Sequence, residues 1–309
     1  MPNRRATLKD VARASGVSTA TVSFVLNETP GQTLPPSTQE RVRAAAAALG
    51  YQPHGLARAL REGRSRVVLL AIGRLRGGRS LEGFIQGMSA ELQSHGYGLL
   101  VYPGAAGEPG HADLVRDLRP HAVIDLAALY EARSDADDGG WIDGLAAHSL
   151  TQLAHLAERG HRRIAFAISA EVDLDGIAAM RERFARESGR RLGLDALTTL
   201  SIPENPQGAR DAVAALRRES EGTSAIAAFD DEVALRVLAA LADLGLSAPR
   251  DMAVIGFDDS RFGAAWRPAL TTVRIDGRLF GRRGARTLLG LPNDEAAPLS
   301  ATVIVRQTT

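Results

Sequence analysis

Apolar residues recur at helical spacing through the first fifty positions. Leu8, Val11 and Ala12 share one face of a helix expected over Leu8–Ala14. Ser15-Gly16-Val17 breaks it, with Gly16 supplying the left-handed backbone that a tight turn between helices needs. Ser18 is placed to cap a second helix running through Asn27, with Val22, Val25 and Leu26 inward. Turn formers fill Thr29–Pro36, and Ser37-Thr38-Gln39-Glu40 reads as a capping box. The helix it opens ends at Gly50, with Val42, Ala46 and Leu49 on its inner face. Three short helices with a small-residue turn between the first two describe a helix-turn-helix domain, although periodicity alone also fits another small bundle. The outer face of the second helix would carry Thr19, Ala20, Ser23, Phe24 and Asn27.

Beyond Gly63-Arg64-Ser65 the pattern changes. Val67–Ile72 is a continuous apolar run suited to a strand buried on both faces. Further strands are expected at 98–102, 122–126, 163–168, 197–202, 225–228, 252–256 and 301–306. Helices are expected at 81–95, 145–159, 177–188, 207–217, 231–244 and 278–289. This alternation implies parallel sheets in a doubly wound α/β body.

Charge divides the chain the same way. Through residue 66 there are ten Lys/Arg against four Asp/Glu, a net of +6, which leaves −5 for the rest of a chain of net charge +1. A basic head on an acidic body suggests that the head alone meets a polyanion. Lys9 is the only lysine, so no Walker loop exists. The absence of cysteine excludes disulfides, thiolate metal sites and cysteine nucleophiles. No apolar run approaches the ~18 residues of a membrane span, and the polar start lacks the core of a secretory signal. The expected location is the cytoplasm, at the nucleoid, with no membrane partner.

Two runs carry a resemblance. Thr7-Leu8-Lys9-Asp10-Val11-Ala12, Gly16-Val17-Ser18, Thr21-Val22-Ser23 and Leu26-Asn27 resemble the headpiece signature of the lactose-repressor (LacI/GalR) family. Leu49-Gly50-Tyr51-Gln52-Pro53, continuing to Ala57-Arg58-Ala59-Leu60, resembles that family's hinge. The resemblance implies that the second helix enters the major groove of operator DNA. Thr19, Ala20 and Phe24 would then face base edges, with Ser18, Thr21, Ser23 and Asn27 nearer phosphates and Thr7 among the DNA-binding residues. Phe24 stands where an arginine is often found and offers only apolar contact, for instance to a thymine methyl; packing on the headpiece core is its other expected role. Weak base readers shift the affinity toward phosphate contacts and DNA shape. In the hinge, the resemblance puts Ala57 and Leu60 at the minor groove, with Leu60 as a wedge between base steps, and His54 and Arg58 are further expected DNA-binding residues. Two wedges at the centre of a palindrome imply a homodimer.

The body resembles the same family at Gly160–Phe166, Ala228–Ala234, Val254–Asp259 and Pro268–Val273. This implies a periplasmic-binding-protein-like type I effector domain of two doubly wound subdomains around a ligand cleft. The expected domains are a headpiece over 1–62, with a hinge helix at about 53–61, and an effector-binding and dimerisation domain over 63–309. Its first subdomain would take about 66–143 and 276–295, and its second about 144–275 and 296–309. Asp230 and Asp258 fall at strand ends that line such clefts; their other expected roles are helix N-cap and turn residue. The segment Gly73–Gly78, the short stretch between Asp125 and Gly144, and the lack of a clear effector-binding arginine near Ile177–Met180 all depart from the family pattern. Arg181 and Arg183 lie close by, but the run Arg181, Arg183, Arg186, Arg190 and Arg191 reads most simply as a solvated face. No His pair has metal-ligand spacing and no acid–base or nucleophile constellation stands out, so neither a cofactor, a metal nor an enzyme activity is expected. The expected function is a DNA-binding transcriptional regulator, a repressor modulated by a small-molecule effector of unknown identity. The alternative is a regulator whose altered cleft binds no sugar and serves dimerisation or a protein partner.

Overall fold

The computed structural model describes residues 6–26, 34–51, 65–73, 78–126, 141–170, 175–293 and 301–309. They fall into two compact units, Met1–Arg66 with Leu118–His121, and Val67–Asp117 with Ala122–Thr309. In the first, α1 (Leu8–Ser15) opens on a reciprocal cap: Asp10 N donates to Thr7 Oγ1, and Thr7 N donates to Asp10 Oδ2 at 2.9 Å. It ends at Gly16, whose φ of 67° is the left-handed turn expected there. Thr21 N donates to Ser18 Oγ at 3.1 Å at the start of α2 (Thr19–Leu26).

The third helix, α3 (Pro36–Ala48), starts differently from expectation. Pro36 takes the first turn, where its missing N–H costs no hydrogen bond, and Pro35 is the N-cap without a side-chain bond. The capping box expected at Ser37–Glu40 is therefore not formed; Thr38 N and Gln39 N donate to the Pro35 carbonyl instead. Gly50 ends the chain's third helical turn sequence at φ 59°, while Tyr51 N reaches back to Ala46 O. Val11, Ala12, Val22, Val25, Val42 and Ala46 form the core. Leu49, expected among them, is 41% exposed, and Tyr51 and Ala45 pack there instead.

The second unit contains two parallel sheets. In the first, β1 (Val67–Ala71) lies between β2 (Gly98–Tyr102) and β3 (Ala122–Asp125). Its apolar run is buried because strands flank it on both sides, with Leu69 paired to Leu100 and to Val123. The connecting helices are α4 (Arg79–Ser94) and α5 (Pro109–Leu118), the latter not among the expected elements. The second sheet orders β5 (Thr198–Ile202), β4 (Ile164–Ser169), β6 (Ala225–Ala228) and β7 (Ala253–Ile255), all parallel. Alternation along these strands builds two cores. Ile164, Phe166, Ala225 and Ala227 join one, which takes in Leu153 and Leu156 of α6 (Trp141–Glu158) and Met180 of α7 (Asp175–Arg191). Ala165, Ala167, Ile226 and Ala228 join the other, with Val213 of α8 (Pro206–Glu219) and Val237 of α9 (Asp231–Asp243).

The final expected strand is present as β9 (Thr302–Ile304), but it runs antiparallel to β8 (Thr272–Arg274), an element the alternation did not reveal. A short helix, α10 (Arg261–Ala265), precedes β8, and α11 (Gly277–Leu288) follows it. Helices α4 and α11 run parallel in backbone contact. A Cβ on Gly277 would meet Ser80 O at 2.1 Å, and one on Gly281 would meet Phe84 O at 2.0 Å. Only glycine permits that approach.

Candidate functional site

On the headpiece, α2 presents Thr19 and Ala20 exposed, with Thr21, Ser23 and Phe24 half-buried. Among the described residues Phe24 is not part of the headpiece core cluster, although it is itself half-buried. Ser18 and Thr21 pair their hydroxyls at 2.9 Å, and Thr7 donates to Asp10 Oδ2 at 2.6 Å, so these three hold the helix starts in shape. Arg41 donates to Ser15 O at 3.1 Å, tying α3 to the end of α1. Asn27, His54, Ala57, Arg58, Leu60 and the hinge helix lie outside the described residues.

In the body, the C-terminal ends of β4, β6 and β7 face the N-termini of α4 and α11 across a cavity of about 1180 Å³. Both expected acids line it. Asp230 is the N-cap of α9, with Val233 N donating to its Oδ1 at 2.8 Å. Burial pushes its carboxyl above the ordinary range, and the neighbouring Glu232 adds to that rise. Asp258 sits at φ 103°, a backbone region unfavourable to a side-chain-bearing residue, which fits its expected place in a turn. Its Oδ1 accepts from Ser80 N at 2.7 Å and from the Ser80 hydroxyl. Burial pushes its pKa up to about 6 despite those bonds.

The adjoining acids brace the loop. Asp231, buried and also raised by burial to about 6, accepts from Ser260 N and from the Thr272 hydroxyl. Burial would likewise raise Asp259, but the guanidiniums of Arg306 and Arg274, at 2.6 and 2.7 Å, hold it below the usual range.

Opposite Asp230 stands a residue that reading the sequence as a solvated face had missed. Arg181 of α7 is only 2% exposed and lines the cavity, its Cζ 3.3 Å from the ring centroid of Phe257. It donates to Gln152 Oε1 at 3.2 Å, and Gln152 Nε2 donates to the carbonyls of Ala228 and Gly256 at the ends of β6 and β7. Arg183, Arg186, Arg190 and Arg191 are exposed as expected. The signal was the helical phase: Arg181 shares a stripe with Ile177, Ala185 and Ser188. The cavity can therefore offer both acceptors and donors to a polar molecule.

Residues 7–54, spanning α1 to α3, match the model of bacterial regulatory proteins of the lacI family. Residues 153–309, just over half of the chain, match the periplasmic binding protein-like domain. The chain belongs to the LacI/GalR family. It is similar to the HTH-type transcriptional regulator GalR of Escherichia coli (strain K12), at 26% identity over 95% of this chain and 91% of that protein. The HTH-type transcriptional repressor PurR of Vibrio atlanticus (strain LGP32) is 28% identical over 92% and 91%. Among solved structures, a lac repressor dimer bound to operator and the anti-inducer ONPF shares the fold with a TM-score of 0.74, at 23% identity over 99% of both chains. As a LacI/GalR member, this chain is a DNA-binding transcriptional regulator, and its relatives are regulators rather than enzymes. Among the described residues no helix is long and apolar enough to cross a membrane.

Proposed function

We propose that this chain represses transcription in the cytoplasm by binding a palindromic operator as a homodimer, and that a small polar molecule in the body's cavity modulates that binding. The observation that carries the DNA reading is the lacI-type match, which coincides with a three-helix unit whose second helix offers Thr19 and Ala20 to the outside. Thr19, Ala20 and Phe24 are the proposed base readers. Ser18, Thr21, Ser23 and Asn27 are the proposed phosphate-side contacts and Thr7 a further proposed DNA contact, with Thr7, Ser18 and Thr21 also fixing the helix starts. Ala57 and Leu60 are the proposed minor-groove residues, and His54 and Arg58 are proposed DNA contacts beside them. The proposed domain limits are 1–62 and 63–309, the latter in two lobes, 66–143 with 276–295 and 144–275 with 296–309. Asp230 and Asp258, joined by Arg181, are the proposed effector contacts.

Footprinting a genomic library with the purified full chain tests the DNA reading. Palindromic sites are the expected result, and protection without symmetry would overturn the dimer. On such a site, Leu60→Ala should weaken binding and reduce DNA bending; unchanged bending would remove Leu60 from the wedge role. A second reading, in which the cavity takes no ligand and the body serves dimerisation or a protein partner, is favoured by one observation: Asp230 and Asp258 already hold internal hydrogen bonds. A panel of small polar metabolites decides between the two. A ligand-induced rise in Tm supports the first, and no rise across the panel supports the second.

A further inference from the structure

Among the described residues, three contacts join the loop after β7 and the first residue of α10 to the first turn of α4. Asp258 Oδ1 accepts from Ser80 N at 2.7 Å and from its hydroxyl. Arg79 lies 3.8 Å from Asp259, and Arg261 lies 3.9 Å from Glu82. Both ion pairs are long. Arg261 and Glu82 are both exposed, so solvent screens them. Exposed Arg79 lies at 3.8 Å from a buried Asp259 that Arg274 and Arg306 already hold at 2.7 and 2.6 Å. The Asp258–Ser80 contact is inside the cavity, charge-assisted and shorter, and it dominates the three.

Both halves of this contact are built in advance. The loop side is braced by Asp231, which holds Ser260 N and Thr272, and by Asp259, which holds Arg274 and Arg306. Asp258 N donates to Val273 O at 2.7 Å, and the unfavourable φ of Asp258 sends its carboxylate toward α4. On the other side, Gly78 leaves the space: a Cβ there would meet Asp258 Oδ2 at 1.9 Å. Because α4 and α11 touch backbone to backbone, whatever holds α4 holds α11 as well.

We infer that Asp258 and Ser80 form a clasp that holds the two sheets of the body closed over the cavity without any ligand. A ligand that uses Asp258 must then first take it from Ser80. The clasp is a property of the body alone, and stands whether or not the cavity takes a ligand.

The absence of native cysteine lets two sites be spin-labelled cleanly. Ser94→Cys and Asp243→Cys place labels on exposed positions at the far ends of α4 and α9, one beside each sheet. The labelled full chain is diluted into excess unlabelled chain, so that only distances within one chain are read by pulsed electron resonance. The clasp predicts one narrow distance without ligand. Asp258→Ala should shift the mean or add a second population, and Ser80→Ala should do so to a smaller degree because the backbone N–H remains. Distributions that superimpose on the parent in variants with the parent's circular dichroism would overturn the clasp. If Asp258→Ala does not fold, Asp258→Asn and Ser80→Ala carry the same comparison with the same criterion. No ligand enters the measurement, so its failure is distinct from a failure of the effector reading.

Discussion

Asp258 is where the chemistry of single residues is most exposed to test. Its pKa rises from 3.8 to about 6 because burial outweighs the Ser80 hydrogen bonds. A carboxyl that keeps its proton longer when folded stabilises the fold below its unfolded pKa, and that contribution is lost as pH climbs through the folded value. The rise corresponds to roughly 3 kcal/mol. Asp258→Asn removes the ionisation at nearly constant volume. Relative to this variant, the parent should lose up to about 3 kcal/mol of stability between pH 4 and pH 7, read from urea midpoints at each pH. Parallel profiles would show that Asp258 ionises as it does in the unfolded chain. Asp230 and Asp258 were legible as cavity residues through the family resemblance, which places them just past strand C-termini, the ligand edge of such sheets. Arg181 was not, because counting it within an arginine run hid its phase on α7. A buried guanidinium violates the usual burial preference, so only its position in the stripe could have located it.

Elements were legible where one pattern dominated. Runs of Val, Ile and Ala gave the strands of both sheets, and Gly16 and Gly50 marked helix ends at positive φ. Misreadings came where two signals competed. Ser37 and Glu40 have the spacing of a capping box, but Pro36 had already started α3. β8 is three residues long, and α5 is short and only partly covered, so neither has a periodic stretch long enough to register. The α4–α11 contact was invisible because glycine carries no pattern of its own, yet it makes a sharp prediction. A methyl at Gly281 meets the Phe84 carbonyl at 2.0 Å, whereas one at Gly284 meets only the flexible end of Met88 at 3.2 Å. Gly281→Ala should therefore cost about 3 kcal/mol or more through forced separation of the helices. Gly284→Ala should be within about 1 kcal/mol of neutral, its helix-propensity gain offsetting the crowding. Equal costs in urea unfolding would mean that the two backbones do not touch.

At the scale of the whole molecule, charge separates the two jobs. The head through residue 66 carries +6 and the remainder −5. Operator affinity should then come from the head, while the body's acidity opposes any non-specific hold on DNA. The side chains proposed to read bases, Thr19, Ala20 and Phe24, form none of the bidentate contacts that arginine or asparagine makes. On that proposal phosphate neutralisation supplies a large share of binding, and it releases counterions in proportion to the contacts made. If a homodimer makes about 6–10 such contacts, affinity for a footprinted site should fall about 10³–10⁵-fold between 50 and 200 mM salt. Phe24→Ala should shift affinity at every salt concentration alike and leave that slope unchanged, since an apolar contact releases no ions. Arg58→Ala, by contrast, should lower the slope. Fluorescence anisotropy across a salt series reads both quantities at once. A shallow slope for the parent would mean that direct base or shape recognition outweighs the head's charge. A slope altered by Phe24→Ala would mean that this ring positions phosphate contacts rather than touching a base.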